Sequence, residues 1–362
     1  MKIPQFEPLF TDLEKKRMSD YLSKGGFLTE FRETVKFTQM LKEITNSTSV
    51  SCVNNGTISL SIALKALGVE RGDKVLVPNF TMFATASSAW FVGAEIVFCD
   101  VRDDDFLLDL SYAREILTSE FKVVVITNAN GRTHTATEMD EFIKFCDSLE
   151  ISVLEDSAQA LGSYYDDGTH AGLKADIGSL SFSVPKIITT GQGGALITSS
   201  HDLGQKINLL KDFGRSGGGN DIHMEMGINS KFTDLQAVIG QTQLEDFEWR
   251  KRRKKEIHKL YKDGLRNCDK GKFVDYDTSY TVPWFYEFLC EDKQYVASIL
   301  EENYISTRDM YPRLNKQKAL ENHPQALDEF KISKHIEKHG LWLPSSLTLS
   351  DEDINKICQI LS

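Results

Sequence analysis

The chain has 362 residues, with 42 Lys and Arg against 53 Asp and Glu, and carries a formal net charge of −11. This acidity argues against a dedicated binder of nucleic acids or anionic membranes, because such binding depends on positive charge. Apolar residues make up 41% and charged residues 26% of the chain, which is typical of a globular protein of roughly two domains and excludes disordered or small disulfide-stapled chains.

No apolar run approaches the roughly 18 residues that a membrane helix requires, and the N-terminal residues lack the apolar core of a signal peptide. We therefore expect a cytoplasmic protein without a membrane partner. The six cysteines are scattered and include no C-x-x-C pair. In a reducing compartment they are expected to be small core residues, and no metal site is predicted.

Short runs rich in Val and Ile alternate with segments of helical period between Ser49 and about Ser200. Four of these runs are predicted to be strands buried on both faces: residues 74–78, 95–99, 122–126 and 151–154. Such alternation is typical of an α/β fold with a mainly parallel sheet wrapped by helices. One intervening helix is predicted from Leu60, Ala63, Leu64 and Leu67, with Gly68 as its end.

The pattern becomes more helical beyond Thr233, through a long segment that ends near Gly264, and the last hundred residues mix short strands with helices. A C-terminal helix is indicated by the capping pair Ser350 and Asp353 and by an apolar stripe that follows it. We place a boundary near residue 250. It divides the chain into a large domain, residues 1–250 with the N-terminal segment, and a small α+β domain, residues 251–362.

The basic run from Arg250 to Lys255 invites a nucleic-acid interpretation. In so acidic a chain, a solvated face of the helix between the domains is the better interpretation. Trp249, Ile257 and Leu260 are then expected to pack inward.

Residues that carry chemistry begin at the end of the strand 151–154, the edge where open parallel sheets bind ligands. There the chain reads EDSAQALG from Glu155, and Lys186 follows thirty residues after Asp156 within SFSVPKIITTGQGG. Upstream, Gly56 and Thr57 lead into the first predicted helix. Each feature alone has an ordinary structural explanation. An amine, a carboxylate and donors at a helix N-terminus together match pyridoxal phosphate, an aldehyde with a protonatable ring and a phosphate.

These segments resemble fold type I pyridoxal-phosphate enzymes, specifically the DegT-type nucleotide-sugar aminotransferases, whose hallmarks are E-D-x-A-x-x-x-G and S-F-x-x-x-K-x-x-T-x-G-x-G-G. Residues 77–81, 227–237 and 343–345 add to a similarity that covers most of the chain. The resemblance implies a large domain with a mainly parallel sheet and a smaller α+β C-terminal domain. It also implies transfer of an amino group from an amino acid, by analogy L-glutamate, to a nucleotide-linked keto-deoxysugar in amino-sugar biosynthesis for a surface polysaccharide or related glycan, with pyridoxamine phosphate as the intermediate cofactor form.

The resemblance also implies residue roles. Lys186 would form the Schiff base with the cofactor and move the proton, Asp156 would pair with the ring nitrogen, and Gln159 would contact the ring hydroxyl. The phosphate would be held by Gly56, Thr57 and Ser181. Lys231 would reach the phosphate of the neighbouring subunit, so a homodimer with its active site at the subunit interface is expected.

Several positions depart from the family pattern. Met82 stands where an aromatic residue usually covers the cofactor ring, with Phe83 as the alternative. Gln192 replaces an acidic residue, and residues 128–131 and Leu314-Asn315 differ where substrate recognition is expected. Arg308, Tyr311 and the loop of Gly217, Gly218 and Gly219 are the candidate nucleotide contacts.

Three other functions are weighed. Some relatives are dehydratases that lack the Schiff-base lysine, and Lys186 argues against that reaction. A smaller phosphorylated ketone remains an alternative substrate. A non-catalytic pyridoxal-phosphate-binding regulatory protein has no physical need for Lys186, Asp156, Gln159 and Ser181 together.

Overall fold

The computed structural model describes residues 2–217 and 221–362. Its helices are α1 (Asp12–Lys24), α2 (Arg32–Thr45), α3 (Gly56–Ala66), α4 (Phe83–Phe91), α5 (Leu110–Ile116), α6 (Ala136–Ser148), α7 (His201–Lys211), α8 (Asp234–Glu245), α9 (Phe247–Gly264), α10 (Lys293–Glu302), α11 (Lys331–His339) and α12 (Asp351–Leu361). Its strands are β1 (Ser49–Val53), β2 (Lys74–Pro78), β3 (Glu95–Cys99), β4 (Phe121–Thr127), β5 (Ser152–Asp156), β6 (Ile177–Ser181), β7 (Gly194–Thr198), β8 (Lys272–Phe273), β9 (Tyr286–Leu289), β10 (Arg308–Asp309) and β11 (Gly340–Leu343).

The larger sheet has seven strands in the order β1-β7-β6-β5-β4-β2-β3. Strand β7 is antiparallel to its neighbours β1 and β6, and the other pairs are parallel. Residues on both faces are buried, as in β2, where Val75, Leu76 and Val77 are fully inaccessible. Helices cover both faces, which is why these strands are almost continuously apolar. The predicted mainly parallel sheet is confirmed.

Local signals set the ends of the predicted helices. Helix α3 begins after Asn55, whose side chain accepts a hydrogen bond from the amide of Ile58, and Gly68 follows its end with a φ of +81°. Helix α12 begins at the predicted capping box, in which Ser350 and Asp353 each bond to the other's backbone. Both helices are confirmed.

A second sheet, in the order β10-β11-β9-β8, is entirely antiparallel. Its core includes Ile257 of α9 and Ile354 of α12. Ile3 joins the same core through a parallel bridge to Ile305, so the N-terminus packs on this sheet although the sequence grouped it with the large domain. The proposed boundary near residue 250 falls within α9 and stays a prediction.

The cysteines are mainly interior residues, as the sequence predicts. Five of the six cysteines are buried, and Cys268 is half-buried. Across residues 2–217 and 221–362, no helix is both long enough and apolar enough to cross a membrane.

The basic run in α9 differs from the prediction. Arg250 and Lys254 are buried at 2% exposure, whereas Trp249 is 39% exposed. Positions 250, 254, 257 and 261 recur with the helical period and so share the inward face, while position 249 lies outside it. The expectation that Trp249 packs inward was therefore wrong, and part of the basic run is interior.

Lys254 is satisfied in the interior by two carbonyl groups. Its Nζ donates to the carbonyl oxygens of Trp284, at 2.7 Å, and Ser345, at 2.6 Å. Burial lowers the pKa of Lys254 to about 7. A neutral amine has two N–H donors, which these two carbonyls match, whereas an ammonium group has a third.

The pKa of Lys254 predicts a pH-dependent stability. Between its folded pKa of about 7 and the ordinary value of 10.5, the unfolded chain holds a proton that the folded chain does not. Lowering the pH through this window therefore favours unfolding, by on the order of a few kcal/mol for this group. We expect urea unfolding to show that the free energy of unfolding of the wild type falls relative to that of Lys254→Met as the pH is lowered from about 10 to about 7.

The exposed Lys259, on the same helix, provides the matched control, because Lys259→Met removes an exposed ammonium group. Its difference from the wild type should stay nearly flat over the same range. A flat difference for Lys254→Met as well would contradict the lowered pKa.

Candidate active site

A cavity of about 370 Å³ lies at the carboxyl edge of the seven-stranded sheet. It is closed from the other side by Arg308 of β10 and by Trp284 and Tyr311, which lie next to strands of the second sheet. The predicted site residues that line it are Gly56, Thr57, Met82, Asp156, Gln159, Ser181, Lys186, Arg308 and Tyr311. Among the other described candidates, Lys231, Phe83 and Gly217 are absent from its lining.

Lys186 lies on the loop between β6 and β7. Its Nζ is 4.4 Å from the centroid of the Trp284 ring, and the Trp284 indole N–H donates to the carbonyl of Pro185 at 2.6 Å. Burial lowers the pKa of Lys186 to about 8; the charge of Asp156 opposes this shift, and that of Arg308 adds to it. The amine is therefore neutral, and able to act as a nucleophile, in a large fraction of molecules near pH 8.

Asp156 is the last residue of β5 and is 4% exposed. Its Oδ2 accepts from the Thr85 hydroxyl at 2.7 Å, and its Oδ1 accepts from the Ala158 amide at 3.3 Å. Burial raises the pKa of Asp156, against the effects of these bonds and of Lys186. No residue of the described ranges forms an ion pair with it. A buried carboxylate that lines a cavity without such an ion pair is suited to bind a cationic N–H donor, for example a protonated ring nitrogen.

The neighbouring acid, Glu155, has a structural role. Its carboxylate accepts from the Tyr165 hydroxyl, the Asn128 side chain and the backbone amides of residues 172, 174 and 175. Successive strand residues point to opposite faces, so Glu155 anchors a loop while Asp156 lines the cavity. The two acids of the motif therefore have different tasks.

Gln159 is oriented by the backbone. Its Oε1 accepts from the amide of Asn130 at 2.6 Å, which leaves the Nε2 group as a donor at the cavity wall. Asn130 has a φ of 55°, and its side chain bonds to both the amide and the carbonyl of Phe285. Gln159 is thus placed to donate to an oxygen such as a ring hydroxyl.

The start of α3 provides the donors that suit a phosphate. Asn55 caps the amide of Ile58, whereas the amides of Gly56 and Thr57 donate to no residue of the described ranges. A Cβ at Gly56 would lie 3.0 Å from Cβ and 3.1 Å from Oγ of Ser181, so the Ser181 hydroxyl stands beside the helix end. Free amides at a helix N-terminus together with a hydroxyl suit a dianion.

Met82, but not Phe83, is part of the cavity wall. Met82 precedes the first turn of α4, where Phe83 begins the helix. A thioether can pack on a ring face, so the geometry favours Met82 over Phe83 for contact with a bound ring.

Residues expected to recognise the substrate divide into two groups. Arg308 and Tyr311 line the cavity, and the Arg308 guanidinium has no ion-pair partner in the described part of the chain; it lies 5.4 Å from the Trp342 ring centroid. Asn315, by contrast, is fully buried and bonds to Asn79 and to the carbonyls of residues 325 and 328. Asn128 and Asn130 are also buried in internal bonds. These asparagines therefore support the scaffold, and a role in substrate recognition at these positions stays a prediction.

Two sequence-based candidates lie elsewhere. The Nζ of Lys231 forms an ion pair with Asp212 at 2.5 Å, and it is 5.1 Å from the Phe213 ring centroid. Its predicted role in a neighbouring subunit's site stays a prediction. Gly218 and Gly219, predicted as part of a nucleotide-contacting loop, lie outside the described residues.

Trp284 is a wall residue that sequence reasoning missed. It is 4% exposed and stands just before β9, on the far side of the cavity from the large sheet. The only local signal is a tryptophan within the apolar segment that leads into a strand, which ordinarily predicts core packing.

The sequence profile described as the DegT/DnrJ/EryC1/StrS aminotransferase family matches residues 10–362. A GDP-perosamine synthase of Escherichia coli O157:H7 is 27% identical over 363 residues, which cover 99% of this chain and 98% of the relative. A UDP-4-amino-4,6-dideoxy-N-acetyl-beta-L-altrosamine transaminase of Campylobacter jejuni subsp. jejuni serotype O:2 is 28% identical over 298 residues, 80% and 77% of the two chains.

Among solved structures, Helicobacter pylori PseC, an aminotransferase involved in the biosynthesis of pseudoaminic acid, superposes with a TM-score of 0.92. It is 20% identical, and the match covers 100% of this chain and 98% of that one. This likeness confirms the predicted fold type. Since the family profile extends over nearly the whole chain, the resemblance drawn from the motifs is also confirmed: the chain belongs to the DegT/DnrJ/EryC1/StrS aminotransferase family.

Proposed function

We propose that the protein is a pyridoxal-phosphate-dependent aminotransferase that moves an amino group from an amino acid, L-glutamate first among those to test, to a keto group of a nucleotide-linked deoxysugar. The product would be an amino sugar for a surface polysaccharide or related glycan. The proposal depends on one cavity that is lined by both Lys186 and Asp156, a buried carboxylate with no ion-pair partner among the described residues. The names of both sequence relatives support a nucleotide-linked sugar as the substrate class.

When bound, pyridoxal phosphate supplies the aldehyde that takes up the amino group and a ring that withdraws electrons. Asp156 would hold a proton on the ring nitrogen. The Gly56 and Thr57 amides and the Ser181 hydroxyl would bind the phosphate without adding a second amine near the aldehyde. Gln159 would donate to the ring hydroxyl, and Met82 would pack on the ring.

Lys186 would act twice. Its neutral Nζ would attach to the cofactor and, once displaced by the amino donor, would carry the proton between the donor's α-carbon and the cofactor. Arg308 would attract an anionic group of the substrate, because its charge faces the cavity without an ion-pair partner from the described residues. Tyr311 would contribute a hydroxyl at the same wall.

The working unit in this proposal is a homodimer with the active site at the subunit interface. Helix α4, next to the cavity, exposes Trp90 at 71% and Phe91 at 58%. Exposed aromatic side chains beside a ligand cavity favour a protein interface. A second copy would cover them and bring Lys231 to the neighbouring phosphate.

A smaller phosphorylated ketone is the second candidate substrate. It is retained because the cavity of about 370 Å³ has no described residue that identifies a nucleoside. Ketone-dependent return of the yellow cofactor form, measured with a panel of nucleotide ketosugars and one phosphorylated ketone, decides between them.

Lys186 should be required for the colour change that reports amino transfer. Protein reconstituted with pyridoxal phosphate should be yellow and should bleach on addition of L-glutamate or another amino donor, because the amine passes to the cofactor. Lys186→Ala should still bind the cofactor but lose at least about a thousandfold in turnover. Lys259→Ala, at an exposed lysine, should bleach normally. Substantial turnover by Lys186→Ala would identify the wrong lysine.

Asp156 should matter more for the rate than for binding. Asp156→Asn keeps the shape but removes the charge that stabilises a protonated ring nitrogen, so kcat should fall by about a hundredfold or more, with a smaller loss of cofactor affinity. Asp176→Asn is the control, since Asp176 bonds to the Val153 amide outside the cavity. Equal losses in kcat and in affinity for Asp156→Asn would contradict the assigned role.

Mixing two inactive variants tests the shared site. If Lys231 serves the partner's site, a dimer of one Lys186→Ala and one Lys231→Ala subunit has one intact site and one doubly altered site. Random mixing should then restore about a quarter of the native activity. No recovery, with mixed dimers demonstrated by differently tagged subunits, would place Lys231 in its own subunit's site or outside any site.

A further inference from the structure

Trp284 connects the two sheets at the reactive amine. It belongs to the segment that leads into β9 of the second sheet, yet it lines the cavity at the edge of the first. Its indole N–H donates to the carbonyl of Pro185 at 2.6 Å. Its ring lies 4.4 Å from Nζ of Lys186. One side chain therefore holds the backbone just before the lysine and supports the lysine's reactive end.

The backbone of Trp284 is held from behind. Its carbonyl accepts from the buried Nζ of Lys254 at 2.7 Å, and the same Nζ donates to Ser345 at 2.6 Å. The hydroxyl of Tyr286 donates to the carbonyl of Lys254 at 2.8 Å. A buried lysine costs free energy unless its N–H groups are hydrogen-bonded. The bond from Lys254 therefore stabilises the lysine and holds the backbone of Trp284 in place.

A restrained amine is useful in this reaction. A lysine side chain has four rotatable bonds, and Lys186 must attach, detach and return to the same position during one cycle. A flat aromatic surface restrains both forms of the amine, the ammonium by a cation–π contact and the neutral amine by packing. Displacing a reacting atom by about 1 Å can cost about a hundredfold in rate.

We propose that Trp284 is a positioning residue for Lys186 and that Lys254 fixes Trp284 in place. The proposal deepens the proposed function, on which it rests only in taking Lys186 as the amine that reacts with the cofactor aldehyde. Because Trp284 is assigned its role through Lys186, its effect should appear in the rate of attachment and not in the affinity of the cavity for the cofactor.

The test measures how fast apoprotein captures pyridoxal phosphate at about pH 10.5, the ordinary pKa of a lysine. Even a substitution that exposed Lys186 to solvent would then lower the neutral fraction of the amine by only about twofold, so a larger change in rate cannot come from ionisation of the lysine. The affinity for pyridoxamine phosphate, which has no aldehyde and cannot attach to lysine, is measured in parallel. It reports the phosphate and ring contacts alone.

Trp284→Leu should slow capture by about ten- to a hundredfold and leave the affinity for pyridoxamine phosphate within about twofold of the wild type. Trp284→Phe keeps a ring but loses the hydrogen bond to Pro185. Its capture rate should lie between those of the wild type and Trp284→Leu. Trp249→Leu, at an exposed tryptophan, should capture at the native rate. Lys254→Met should resemble Trp284→Leu, and Lys259→Met should have no effect.

Native capture rates in Trp284→Leu and Trp284→Phe would overturn the proposal. Equal losses in capture rate and in pyridoxamine-phosphate affinity would also overturn it, because Trp284 would then be only a wall of the cavity. If Trp284→Leu does not fold, Trp284→Phe decides, since it retains most of the packing. If the wild type captures pyridoxal phosphate but no amino donor bleaches it, the proposed function fails while the comparison of capture rates still stands.

Discussion

Parallel pairing of the central strands is the constraint on which the site depends. In this pairing Thr127 of β4 lies opposite Asp156 of β5, and Asp156 lies opposite Ser179 of β6. Because parallel strands end at the same edge, a carboxylate, a hydroxyl and the loop that carries the lysine are delivered to one place by the backbone alone. The strands are buried on both faces, which leaves this edge as the part of the sheet open to a ligand.

The second sheet and its adjoining loops supply the other wall of the cavity. Trp284, Arg308 and Tyr311 come from the C-terminal part of the chain and form the opposite wall of the cavity. They contribute an aromatic surface, a cation without an ion-pair partner among the described residues, and the hydroxyl of a half-buried tyrosine. The large sheet therefore presents groups suited to the cofactor, and the second sheet presents groups suited to the amine and the substrate.

A protein with a net charge of −11 can still bind the expected anionic ligands, because binding depends on the groups that lie close to the ligand. A phosphate and a nucleotide diphosphate are not attracted by the overall field of so acidic a protein. The free amides at the start of α3, the Ser181 hydroxyl and the Arg308 guanidinium are local donors that act over a few ångströms. Acidity thus excludes polyanionic polymers as partners without excluding small anions.

Sequence patterns were sufficient to predict those features that depend on residues close together in the chain. The strand at 74–78, the capping box at Ser350 and the motif residues Asp156 and Lys186 each depend on neighbours within a few positions, or on motifs that such neighbours form. The same reasoning failed for Trp249 and Lys254, because which face of a charged helix is buried depends on what packs against it. Local patterns also could not show that Asn315 is buried, because its partners at Asn79, 325 and 328 are brought together only by folding.

The sequence by itself determined the fold class, the family and the candidate groups that line the cavity. Backbone periodicity and the chemistry of a few side chains are properties of short segments. Only the tertiary structure decided that Trp284 supports Lys186, that Lys254 lies behind it, and that Glu155 anchors a loop while Asp156 faces the cavity. Those assignments depend on distances between residues that lie far apart in the chain or on the direction in which a side chain points, and packing sets both.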